Sequence, residues 1–411
     1  MTIGIGGSTA KKQLKRLKPV NDNIKTVALI EFKDRIKQAQ TLMKQQAIDA
    51  IYLNAGSNLY YFTGTKWHPS ERMVGAILPS IGDIEYMAPH FEIDTLKEYT
   101  QVEGKIHPWH EHENPYQLFG QIIKRMGIEN GMIALDEATA FFITDGIQQC
   151  NPHLNYKNAK SITAYCRMHK SKNEIALMQR VKSITMTVQK SVARILYRGI
   201  STTEVTDFIN KAHIKLGAQS GSYFCIVLFG TDSAYPHGVK NPQQLAENDM
   251  VLIDTGCQID GYISDITRSY VFGEPNERHR QVWDTEKASQ AAAFAAAQLG
   301  NTCANVDQAA RSYLTKQGFG PEYNTPGLPH RTGHGIGLDI HEWPYLVAGD
   351  DTQLNVGMCF SNEPMLCVPG EFGVRLEDHF YMTENGPKWF TQPAYSIDDP
   401  FGYEFAGTGI Q

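Results

Sequence analysis

Two apolar runs, each broken by one aspartate, flank an Asp-Gly pair: Val251-Leu-Ile-Asp254-Thr-Gly before it and Tyr262-Ile-Ser-Asp265-Ile-Thr-Arg after it. Asp260-Gly261 between such runs is a hairpin signal, because a tight two-residue turn needs residues that tolerate positive φ. Closing the chain there sets Asp254 and Asp265 across from each other, about one residue pair apart. Asp254 follows three apolar residues, so it points inward rather than onto a surface turn. Two carboxylates that close repel and cannot both ionise unprotected; a cation between them removes the conflict.

Three more segments add the same chemistry. His330-Arg-Thr-Gly-His334-Gly-Ile-Gly-Leu-Asp-Ile-His341-Glu places three histidines in one glycine-rich run. Glycine lets backbone approach a ligand closely, and imidazole is both a metal ligand and an acid/base. Phe360-Ser-Asn-Glu363-Pro-Met and Gly373-Val-Arg375-Leu-Glu377-Asp contribute one glutamate each. In a strand, residues 375 and 377 share a face, so Arg375 is expected to orient the Glu377 carboxylate.

The candidate ligands are thus Asp254, Asp265, His334, Glu363 and Glu377. Oxygen-rich ligands favour manganese, cobalt or zinc in an open hydrolytic site over a structural thiolate zinc. Four ionised carboxylates carry four negative charges. One divalent cation leaves two of them uncompensated in a buried site, which is costly; two cations balance the set and hold a water between them. A cation pair of this kind acidifies water and polarises a carbonyl.

At 411 residues the chain is too long for one ordinary core, so two domains are expected. Its hydrophobic content of 42% and charged content of 20% fit a globular protein. The net charge of −6 gives no reason to expect nucleic acid or an anionic membrane as partner. No apolar stretch is long enough for a membrane span, and the basic N-terminus lacks the apolar run of a secretory signal. Seven cysteines without a Cys-x-x-Cys pair fit reduced thiols, so a cytoplasmic location is expected. Residues 1–25 read as an extended arm. Residues 26–168 alternate helix and strand: a helix with Phe32, Ile36, Ala39 and Met43 on one face, strands at 49–53, 73–78, 84–88 and 132–136, and helices near 92–98, 115–126 and 137–149. That pattern is α/β. Residues 169–411 open with a long helix over 171–197, stopped by Gly199, and a capping box at Ser201–Glu204. Strands at 223–229, 249–254, 262–272 and beyond 328, with helices near 277–299 and 305–317, read as α+β.

At Ile253-Asp254-Thr-Gly, Ser264-Asp265-Ile-Thr-Arg, the His330–His341 run, Asn362-Glu363-Pro and Gly373-Val-Arg-Leu-Glu377-Asp, the chain resembles the prolidase and aminopeptidase P branch of the creatinase-like "pita-bread" metallopeptidases, with the pieces in that family's order. Ala234-Tyr-Pro-His237-Gly and Asn58-Leu-Tyr-Tyr-Phe-Thr-Gly extend the likeness upstream. The resemblance implies a creatinase-type α/β N-terminal domain and a pita-bread α+β catalytic domain. It implies that Asp254 binds one metal and that Asp265 and Glu377 bridge two. His334 and Glu363 complete the other metal, and Glu363 also shuttles a proton. His237 and His341 contact the scissile amide, with His330 as a neighbouring pocket histidine. The implied activity is hydrolysis of the bond before proline in Xaa-Pro dipeptides by hydroxide held between two metal ions, manganese foremost, in a homodimer. Aminopeptidase P, which cleaves longer peptides with penultimate proline, is the alternative. Relatives carry an arginine between the last histidine and the first glutamate that grips the substrate carboxylate, but residues 342–374 here contain neither Arg nor Lys. His330, Arg375 and the tail tyrosines Tyr395 and Tyr403 are the candidates left for that grip.

Overall fold

The computed structural model describes residues 2–20 and 24–404. It divides into two compact units: Lys25–Arg167, and Met168 onward together with the residues up to Ile24.

The first unit is built on a six-stranded mixed sheet in the order Lys105–Trp109, Glu85–Pro89, Gly75–Pro79, Ala50–Asn54, Met132–Leu135, Asn155–Asn158. Ala50–Asn54 is buried at every position, as a central strand with a continuous apolar run should be. The helices Pro115–Arg125 and Phe141–Cys150 contribute Phe119, Ile122, Ile123, Ile143 and Ile147 to one core cluster with Tyr52 and Ile133. Asn58, in the helix Ser57–Thr63, donates to the buried Asp136 carboxylate at 2.8 Å and accepts from Arg167 at 2.9 Å. That network gives the Asn58-Leu-Tyr-Tyr-Phe segment a structural reason to exist.

In the second unit the strand Met250–Ile259 lies between Ser222–Phe229 and Ile266–Val271, antiparallel to both. A five-stranded sheet follows in the order Glu342–Leu346, Gly333–Gly335, Cys359–Asn362, Asp378–Thr383, Gly386–Trp389, with Met365–Val368 and Phe372–Arg375 as a separate pair. The helices Lys172–Ala193 and Thr202–Leu216 pack with the first sheet through Val181, Ile184, Val188, Phe208, Val251 and Ile253. Ser171–Glu174 and Ser201–Glu204 both form complete capping boxes, satisfying orphan N–H groups at each helix start.

Several short elements carry no apolar periodicity and were not expected. The arm is not extended throughout: Ala10–Arg16 is a helix capped by Thr9, with only Gln13 buried. Asn155–Asn158 is a polar edge strand, and Lys105–Trp109, Ser57–Thr63 and Lys160–Met168 are also additional. The 171–197 helix stops at Ala193, and Gly199, at φ +91°, ends the turn that follows. The tail is part of the core, with Ala394, Ile397 and Phe401 buried. Tyr403 packs on Gly4 and over Arg194 at 4.6 Å, so its ring is engaged in packing.

The expected strand 262–272 is broken into Tyr262–Ile263 and Ile266–Val271. Asp260 and Gly261, at φ +52° and +86°, close the hairpin, with Ile259 opposite Tyr262. At Ser264 the ladder is irregular: its N–H donates to the Cys257 carbonyl, but the Cys257 N–H donates to the Ser264 hydroxyl at 2.9 Å. The Ser264 carbonyl instead crowds Gly256, where a Cβ would lie 1.7 Å from its oxygen. Gly256→Ala must therefore push the two strands apart, at a cost on the order of 3 kcal/mol. Urea unfolding measures it, and a stability within 0.5 kcal/mol (roughly the scatter of a neutral surface change) would contradict the close approach.

Behind this hairpin, His213 is enclosed between Thr185 (3.1 Å) and Ser222 (2.9 Å), and burial pushes its pKa down to about 4. An imidazole depressed from 6.5 must be charged against its environment, so stability is intact above about pH 6.5 and falls as pH drops toward 4. The penalty approaches about 3 kcal/mol. His213→Gln is expected to remove that part of the acid loss when unfolding is compared at pH 7 and pH 4; identical acid losses in parent and variant would rule it out.

Candidate metal centre

Asp254 projects from Met250–Ile259 opposite Thr267, and Asp265 lies in the break between Tyr262–Ile263 and Ile266–Val271. Both are buried, and one oxygen of each, Asp254 Oδ1 and Asp265 Oδ1, has no hydrogen-bond partner. Buried carboxylate oxygens without partners are costly, and they mark where a ligand belongs.

The histidine run is held by ion pairs that flank it. Asp307 accepts from the Thr332 hydroxyl at 2.7 Å and from the Thr332 N–H at 3.1 Å. Arg311, paired to Asp307 at 2.8 Å, donates to the carbonyls of Leu328 and His330. Beyond His334, Glu342 accepts from the N–H groups of Leu338 and Asp339 at 2.8 and 3.1 Å and pairs with buried Lys170 at 2.9 Å, which folds the loop leading to His341. Glycine is required inside the run: a Cβ on Gly333 would meet the Ser361 carbonyl oxygen at 2.1 Å.

His334 Nδ1 lies 3.0 Å from the Gly335 carbonyl. A carbonyl only accepts, so Nδ1 carries a proton and Nε2 is the nitrogen left to face the acids or a metal. That Nε2 lies 2.9 Å from Glu363 Oε1 and 3.9 Å from Asp265 Oδ2. Nε2 can meet these acids by donating a proton, and a cation between them would take its lone pair instead. Ser361 ties the group together, accepting from the His334 N–H at 2.9 Å and donating to Glu363 at 3.0 Å. Ligand atoms of Asp265, His334 and Glu377 all lie within 4.8 Å of one another.

Arg375 takes a different partner from the expected one. Its guanidinium pairs with Asp254 at 2.6 Å and reaches Glu377 only through Thr267, which accepts from Arg375 Nε at 3.1 Å and donates to Glu377 at 2.8 Å. The strand pairing explains this, since Thr267 faces Asp254 across the ladder and stands between the two acids. Arg375 also donates to the Pro236 carbonyl at 3.2 Å, which fastens the segment carrying His237. Buried and so bonded, Arg375 has little left to offer a substrate carboxylate.

Burial, compounded by Glu377, Asp254 and Glu363, pushes the Asp265 carboxyl well above the usual range. Burial, with Glu363 and Asp254, does the same to Glu377 against the pull of Arg375 and Thr267. Burial acts upward on Glu363 too, but the His334 hydrogen bond and charge, with His330 and Arg375, outweigh it and hold Glu363 below the ordinary range. Without counter-charge, then, part of the set is driven to protonate, as the charge count requires. Divalent cations fit these donors: hard oxygens, one imidazole, and unpartnered oxygens on both aspartates.

Three further histidines surround the acids. His341 stacks edgewise on His334 at 4.3 Å, and burial, His334 and Arg331 push it down to about 4. His330 Nε2 is buried without a partner, and burial lowers its pKa. His237 is exposed but near enough for its charge to act on both. Sequence reasoning passed over four neighbours: Thr267, Ser361, His379, whose Nε2 lies 3.2 Å from Glu377 Oε1, and Arg331. Two-residue spacing from Glu377 was an available signal for His379. The Arg331 guanidinium lies 4.3 Å over the Tyr345 ring and makes no side-chain hydrogen bond or ion pair among the described residues.

Residues 176–384 match the model of metallopeptidase family M24, and residues 35–169 match that of the creatinase/prolidase N-terminal domain. An uncharacterized peptidase of Staphylococcus epidermidis is 29% identical over 361 residues, covering 87% of this chain and 99% of that protein. Dipeptidase PepE from Mycobacterium ulcerans superposes with a TM-score of 0.83 at 29% identity, over 90% of this chain and 97% of that one. A prolidase from Thermococcus sibiricus does so at 0.79 and 29%, over 88% and 97%. The first unit is thus a creatinase-type α/β domain and the second a pita-bread α+β domain. No helix among the described residues is long and apolar enough to cross a membrane. The match across half the chain, at the segments that converge on the acids and histidines, makes this protein a member of metallopeptidase family M24.

Proposed function

We propose that the chain is a dinuclear Xaa-Pro dipeptidase, with Asp254, Asp265, His334, Glu363 and Glu377 holding two divalent ions. Manganese is the first choice, with cobalt and zinc as alternatives. The observation that carries this reading is the set of buried acids with free oxygens on both aspartates and two carboxyls, Asp265 and Glu377, pushed upward for want of positive charge. When bound, such ions acidify water and polarise a carbonyl. The relatives named dipeptidase and prolidase support the substrate class.

The protein's own groups account for the rest. His341, depressed to about 4, is neutral at pH 7 and donates an N–H toward the carbonyl oxygen, with His237 as a second donor. Glu363 takes a proton from the attacking water and passes it to the departing nitrogen. An Xaa-Pro amide has no N–H, so this single proton completes the amine. Arg331, stacked on Tyr345 and without an ion pair among the described residues, supplies the cation for the substrate's free carboxylate in place of the absent 342–374 arginine. This differs from the candidates His330, Arg375, Tyr395 and Tyr403.

Ala-Pro should be turned over well with manganese, and Ala-Pro-Ala poorly. Efficient tripeptide hydrolysis would favour aminopeptidase P, and no activity on either with manganese, cobalt or zinc would refute the reading. Arg331→Met is expected to raise KM for Ala-Pro about tenfold or more with kcat little changed, about the 1.5–3 kcal/mol of a charged hydrogen bond. An unchanged KM would assign the carboxylate to another group.

A further inference from the structure

Each half of the metal centre is fastened by one buried glutamine. Gln189, on the inner side of Lys172–Ala193, is fully enclosed, and its amide donates to the carbonyls of Ile253 (3.0 Å) and Ile266 (2.8 Å). Ile253 precedes Asp254 and Ile266 follows Asp265. Gln290, on Glu277–Ala296, is equally enclosed and donates to the carbonyls of Leu376 (2.8 Å) and Asn362 (3.4 Å) and to Asp378 (3.2 Å). Leu376 precedes Glu377 and Asn362 precedes Glu363. The Asn362 side chain returns a bond to the Gln290 carbonyl at 2.9 Å.

The residues one helical turn earlier repeat the arrangement. Thr185 bonds the Ser264 hydroxyl at 2.7 Å, one residue before Asp265. Glu286 accepts from the Leu376 N–H at 3.2 Å, one residue before Glu377. Two helices, each with an i, i+4 pair, therefore grip residues next to all four carboxylates, and the two glutamines do so through backbone carbonyls. The chemistry suits the task. A primary amide has two N–H donors and no charge, so it bridges two carbonyls without adding to or neutralising the field of the acids. A lysine would compete with the cations, and a glutamate would face carbonyls with lone pairs.

We propose that Gln189 and Gln290 are paired positioning residues of the metal centre. Gln189 sets the separation of Asp254 and Asp265, and Gln290 that of Glu363 and Glu377. The inference rests on the dinuclear reading above, but it concerns ion affinity rather than turnover.

The test is calorimetric titration of the metal-stripped full-length chain with Mn2+. Gln189→Met and Gln290→Met should each weaken at least one binding step by about 10–100-fold, the range for groups that orient ligands from behind. Lys190→Gly and Ala291→Gly, at exposed positions of the same two helices, lower helix stability without touching a ligand strand. They should leave both steps nearly unchanged. Should a Met variant not fold, Gln189→Asn and Gln290→Asn keep the amide but lose its reach, and the same weakening is expected. Folded glutamine variants that bind two ions as tightly as the glycine controls would overturn the inference and leave the dinuclear reading intact. A parent protein that binds no Mn2+ would overturn both.

Discussion

Four carboxylates brought together away from water repel one another, and much of the catalytic unit answers that repulsion. A pair of like charges 4 Å apart is unfavourable by roughly 4 kcal/mol at an effective dielectric of 20. The metal-free set relieves this unevenly. Asp265 and Glu377 are pushed toward protonation, Glu363 leans on His334, and Asp254 leans on Arg375. Each substitute holds one acid, while only cations placed among them satisfy the free oxygens of both aspartates. The neutral amides behind the strands keep the acids together without competing for that role.

The aspartates were legible because each breaks an apolar run, and the glutamates because their segments add to the same set of acids and histidines. The hairpin at Asp260-Gly261 was legible for the same kind of local reason, since its turn accepts few other residues. The break at Ser264 was not. It depends on a hydroxyl replacing a carbonyl in the ladder and on a carbonyl entering the space over Gly256, and neither follows from alternation of polar and apolar residues. Arg375 shows the limit of face arguments. The shared face assumed one strand through 377, but the strand ends at Arg375, and its partner was chosen by Thr267 and Asp254 from other strands. Gln189 lay beyond reach altogether, since its partners are 64 and 77 residues away and a glutamine in a helix carries no pattern.

The same contrast holds for the fold. Long amphipathic helices and apolar central strands were read directly, whereas short polar elements such as Ala10–Arg16 and Asn155–Asn158 exist because their neighbours hold them. The arm segment bonds into the catalytic unit through the Ala193, Arg194 and Gly273 carbonyls, so it completes that unit although it is remote in sequence. Family membership then adds what geometry alone does not supply, that such a centre in this fold works as a peptidase.

The central claim is that the acids and His334 hold two cations. Anomalous scattering from crystals grown with Mn2+ tests it most directly. The account predicts two manganese peaks per chain, contacted by Asp254, Asp265, His334, Glu363 and Glu377. A single peak, no peak, or ions bound away from these five side chains would contradict it.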